Sequence, residues 1–159
     1  MTPEKIHLAI NHLPFLGSGF AVILICADVF LRNKALLVVA LATASVSGWM
    51  TAFVMETGEE AYERYEEGPV RKYLDPNFES ALDIHEERAE TWSKLMYASA
   101  LLSTLMLPMA FWKYEAARKF AFLAALLCLA SLLSGIWIAD SGGKIRRPDF
   151  RDGSLDPSN

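Results

Sequence analysis

The stretch LPFLGSGFAVILICADVFL, residues 13–31, holds a single charge, Asp28, in its nineteen positions. A helix of that length rises ~28 Å, close to the ~30 Å hydrocarbon layer of a bilayer. Working outward, three more blocks of the same kind follow at 35–55, 95–112 and 120–139, none with a charged residue. Hydrophobic residues make up 53% of the chain and charged residues 21%, and the mean hydropathy is positive. The two kinds are segregated into apolar blocks and charged connectors, unlike the even amphipathic pattern of a soluble core. The expectation is an all-α fold, a four-transmembrane-helix bundle forming one domain over residues 1–150, with a flexible tail at 151–159.

Local signals refine this outline. The start, MTPEKIH, lacks the positive stretch of a signal peptide, so the first block reads as a retained span. Thr2-Pro3 is an N-cap followed by a proline at the first helical position, and Pro14 allows a kink on entry to the membrane. RNK at 32–34 reads as a tight turn, with Asp28 and Arg32 spaced to pair on one helix face. ETGEEAYERYEEG, from Glu56, is an acidic helix with a Glu60–Arg64 pair, stopped at Gly68-Pro69. The third long helix is expected from near Ser80, with Asp75-Pro76 or Ser80 as cap, and at ~45 Å it outruns the bilayer core. KYEAARK makes a short connection, and the paired glycines Gly142-Gly143 are expected to end the last helix.

Four spans put both termini and the 56–94 segment on one face, called face A below. Trp49, Trp92 and Trp137 mark its boundary, and Trp112 marks the opposite one. The two short turns hold Arg32, Lys34, Lys113, Arg118 and Lys119, whereas the basic residues of face A are spread out and outnumbered by carboxylates. A positive-inside count over short loops therefore leans towards face A outside the cytoplasm.

Several chemistries are disfavoured at once. A net charge of −4 offers no basic stripe, so no nucleic-acid partner is expected. Cys26 and Cys128 lie inside apolar blocks with no C-x-x-C-H, which argues against covalently attached haem. No P-loop, dinucleotide fingerprint or nucleophile–base arrangement occurs. What remains is a set of three histidines, His7, His12 and His85, all on face A. One reading is b-type haem held by histidines on facing helices, with His12 and His85 as axial ligands and His7 as a substitute ligand or neighbour. Arg88, Arg146 and Arg147 would then meet the propionates. A second reading is a transition-metal site of His7, His12, His85 and Glu59. A di-iron centre wants Glu-x-x-His on two helices, and only Glu4–His7 fits. His7 and His12 stand ~140° apart around a helix, so they are not expected to ligate one iron together. The bland reading is solvated or interfacial histidines with no cofactor.

Four short stretches carry a resemblance: INHLP (10–14), TGEEAYE (57–63), HEERAE (85–90) and GGKIRRPDF (142–150). Together, and in this order, they resemble a group of small bacterial four-helix membrane proteins of uncharacterised function, over nearly the full length. The resemblance implies bacterial inner-membrane residence and marked residues gathered at face A, with a shared site of His7, His12, Glu59 and His85. Some members of the group carry a histidine just before the paired glycines, where this chain has Asp140, so a fourth histidine is lacking here.

The resulting expectation is an electron carrier or a subunit more than a stand-alone enzyme. It binds b-type haem in the inner membrane and exchanges electrons with a quinone or cytochrome partner. The rival is a non-catalytic accessory subunit, packed into a homo-oligomer or a larger membrane complex.

Overall fold

A computed structural model of the chain describes residues 2–66, 68, 71–74 and 77–151. Among these, 92% are helical and none lies in a strand. The helices are α1 (Pro3–Ile10), α2 (Leu13–Leu31), α3 (Lys34–Glu66), α4 (Phe78–Trp112) and α5 (Tyr114–Arg146). The expected tail at 152–159 and the Asp75-Pro76 turn lie outside the described residues.

α1 and α2 form one broken rod. Pro14 has no N–H to give to the carbonyl of Ile10, and its ring crowds that carbonyl, so the helix interrupts at Asn11–His12. Arg32, the C-cap of α2, turns the chain in the left-handed region (φ 48°, ψ 49°). Asn33 Oδ1 then accepts the Ala35 N–H at 2.9 Å, and α3 begins. Lys113 alone separates α4 from α5. Such short connections force antiparallel neighbours, and the four rods pack up-down-up-down. Each rod contains a segment long and apolar enough to cross a membrane. At 33 and 35 residues, α3 and α4 run ~50 Å, well past the hydrocarbon, and extend the bundle on face A.

The bundle interior is lined with small side chains: Ala21, Ala40, Ala44, Ala100, Ala124, Ser99 and Ser131 are essentially fully buried. Small residues let backbones approach closely where lipid offers no hydrophobic drive. At Gly135 the approach is closest, because any Cβ there would run into Phe15. Outside, the rods expose Phe20, Ile23, Phe30, Leu105, Phe122 and Leu133, an apolar jacket suited to acyl chains. Trp49, Trp92, Trp112 and Trp137 are also exposed.

Three local expectations give way to tertiary contacts. Asp28 does not pair with Arg32. It is 1% exposed, receives the Tyr114 hydroxyl at 2.5 Å, and faces Arg118 Nε at 3.3 Å. That last contact is an ion pair without hydrogen-bond alignment, since neither Asp28 Oδ2 nor Arg118 Nε has a hydrogen-bond partner. Arg64 pairs with Glu4 (3.0 Å) rather than Glu60, tying α3 to α1. Gly142 and Gly143 do not stop α5, which runs on to Arg146 before Pro148.

Candidate functional site

On face A, α1 and α4 each present one histidine to the second helix of their own hairpin. His7 packs on Gly58 of α3, where a Cβ would stand 3.0 Å from the ring Cε1. His85 packs on Gly142 of α5, where a Cβ would again stand 3.0 Å from Cε1. Each ring then gives a hydrogen to the carbonyl four residues before that glycine. His7 Nδ1–H donates to Val54 O at 3.1 Å, and His85 Nδ1–H donates to Ile138 O at 3.1 Å. Since a carbonyl can only accept, the hydrogen must sit on Nδ1. Hydroxyls secure the same carbonyls: Thr57 Oγ1–H donates to Val54 O (3.1 Å), and Ser141 Oγ–H donates to Ile138 O (2.7 Å). Ser141 Oγ also lies 3.1 Å from His85 Nδ1.

Both rings are partly buried, and burial holds each imidazole below its ordinary pKa against the pull of the carbonyl bond. The neutral Nδ1–H tautomer is therefore the resting form, and among the described residues neither Nε2 has a hydrogen-bond partner. The two rings meet edge to face, with centroids 6.4 Å apart and planes at 81°.

The other sequence candidates sit elsewhere. His12, at the α1–α2 break, is exposed, with its ring 5.4 Å from that of Phe15. Glu59 is exposed on the acidic side of the bundle, where it joins Glu90, Asp83 and Glu66 in raising the pKa of Glu86, after burial as the main cause. Arg88 lies over the Trp137 ring (4.4 Å) and 3.6 Å from Asp140. Asp140 is also bound by Lys144 at 2.9 Å. Arg146 lies over Tyr65 (5.7 Å), and Arg147 pairs with Asp149. Among the described residues, no three His, Cys, Asp or Glu side chains gather as a metal-ligating set.

Val54, Thr57, Ile138 and Ser141 were not singled out from the sequence. The signal was present as a repeat: Ile-His at 6–7 and 84–85, and Thr-Gly at 57–58 and Ser-Gly at 141–142. In comparisons with known proteins, no family model, curated protein or solved structure matches the chain.

Proposed function

We propose that the chain is an integral membrane electron carrier of the bacterial inner membrane that holds b-type haem between His7 and His85, with face A on the periplasmic side. The observation that carries this reading is the matched pair of rings. Each has its Nδ1 proton committed to a carbonyl and its Nε2 lone pair free, which is the arrangement that orients a metal-ligating histidine.

The donor count favours haem over a bare ion. A structural or catalytic zinc-type site needs three or four protein donors, and among the described residues this pair has no third. A porphyrin brings four nitrogens of its own, so His7 and His85 would be enough to hold it, and it would supply one-electron chemistry there. The residues contribute the rest: burial keeps both imidazoles neutral, and the carbonyl bonds raise the basicity of the ligating nitrogens. Arg88, one turn from His85 towards the membrane on α4, would supply a cation for a propionate.

The test is a reduced-minus-oxidised absorption spectrum of the detergent-purified protein, expressed with haem available. The expected result is a sharp b-type α-band, lost in His7→Ala and in His85→Ala and kept in His12→Ala. A flat spectrum from folded protein overturns the reading and leaves a non-haem metal site and the accessory-subunit role, which metal analysis separates.

A further inference from the structure

The two histidine environments share the glycine, the carbonyl and the hydroxyl that donates to it, and a shift of 78 residues carries Ile6-His7 onto Ile84-His85 in the first helix of each hairpin; the second helices correspond at a different shift. A shift of 84 residues carries Gly58 onto Gly142, Thr57 onto Ser141, Ser47 onto Ser131, Ala44 onto Cys128 and Lys34 onto Arg118. These pairs also agree in structure. Ala44 and Cys128 are both fully buried. Ten residues below His7, Gly17 meets Ser47; ten below His85, the Leu95 carbonyl accepts from Ser131. Lys34 reaches the end of α4, donating to Phe111 O at 2.6 Å, and Arg118 reaches the end of α2, donating to Val29 O at 3.0 Å. The α1–α2–α3 hairpin therefore superposes in pattern on the α4–α5 hairpin about an axis along the bundle.

We propose that the chain is an internal duplication of one helical hairpin, and that Thr57-Gly58 and Ser141-Gly142 are duplicated positioning pairs that fix the tautomer and aim of His7 and His85. The glycine lets the ring lie flat on the helix. The carbonyl one turn earlier, held by the hydroxyl, takes the Nδ1 proton. The ligand sits on the two-fold axis and receives two equivalent neutral nitrogen donors. Its assignment as haem rests on the functional reading above, whereas the ring positioning does not.

The two claims are separable by experiment. In wild-type protein, ¹⁵N NMR of the histidine side chains in detergent at pH 7.5 is expected to show His7 and His85 as the Nδ1–H tautomer without added haem. Gly58→Ala should perturb His7 alone and Gly142→Ala should perturb His85 alone. Each should weaken haem binding by a similar factor, about 10-fold to 100-fold. Thr57→Val and Ser141→Ala, which remove only a hydroxyl donor, give the same test if an alanine at the glycine blocks folding. An Nε2–H tautomer at either ring, or glycine and hydroxyl variants that leave both tautomers and haem affinity unchanged, overturns the positioning proposal even if haem binds. Markedly unequal effects from the two sides overturn the equivalence. The expected tautomers with no haem bound uphold the positioning and overturn the haem reading.

Discussion

A histidine that spends its Nδ1 proton on a backbone carbonyl has a fixed tautomer, and burial adds a fixed charge state. For His7 and His85 burial lowers the pKa, so at mildly acidic pH the folded state binds fewer protons than the unfolded chain. The stability this contributes is fully present above the unfolded value near 6.5 and is lost as pH falls through and below it. Thermal unfolding in detergent should therefore show Tm falling from pH 7.5 towards pH 5. The fall should be shallower in the His7→Gln, His85→Gln double variant, which has no proton to gain there. Asp28 gives a second residue-scale prediction. Removing it leaves Arg118, largely buried, beside an empty acceptor, so Asp28→Ala should cost about 3–5 kcal/mol in reversible unfolding. Asp28→Asn keeps an acceptor for Tyr114 and should cost less.

Among the elements, the break in the first rod matters most. It frees α1 from the direction of α2, and α1 is anchored separately by Glu4–Arg64 and His7–Val54. Pro14→Ala should restore the missing N–H and favour one continuous helix, drawing His7 away from Gly58. The expected outcome is loss of the His7 Nδ1–H signal with that of His85 retained, read by the same ¹⁵N NMR. The helices themselves were legible in sequence because each apolar block is local, about twenty residues with its own composition. Some of their ends were too, such as the Thr2-Pro3 start and the turn at 32–34, but others were not. Gly142-Gly143 reads as a stop in isolation, yet α5 runs through it and a ring from α4 packs on Gly142. Likewise Asp28 and Arg64 have suitable partners four residues away, and each chooses one brought close only by the bundle.

At the scale of the whole molecule, histidine height decided what the sequence could offer. Counting from the edges of the apolar blocks places His7, His12 and His85 at three different levels, so neither His7 nor His12 pairs cleanly with His85. The blocks do not begin level with one another, however. The contacts of Gly17 with Ser47 and of Leu95 with Ser131 put His7 and His85 in register instead. The chemistry-bearing residue types were thus readable, but their pairing was not, because it depends on a two-fold relation between distant hairpins. The bundle also predicts topology. With Cys26 and Cys128 replaced by alanine, single cysteines at exposed Glu63 and Glu87 should react with an impermeant maleimide from the same side of the membrane. A cysteine at Lys119 should react only from the other.

One feature breaks the two-fold pattern, and it bears on how the protein is made. The Asp28 carboxyl enters the bilayer with α2, while its partners Tyr114 and Arg118 lie 86 and 90 residues further along the chain. During synthesis the first hairpin is made before either residue that faces that carboxyl in the finished bundle. Arrival of α5 supplies the cation and the phenol together. Insertion is thereby ordered in time: a nascent chain truncated before α5 carries an orphaned acid near the membrane edge, a mark by which quality control could tell an unfinished bundle from a finished one.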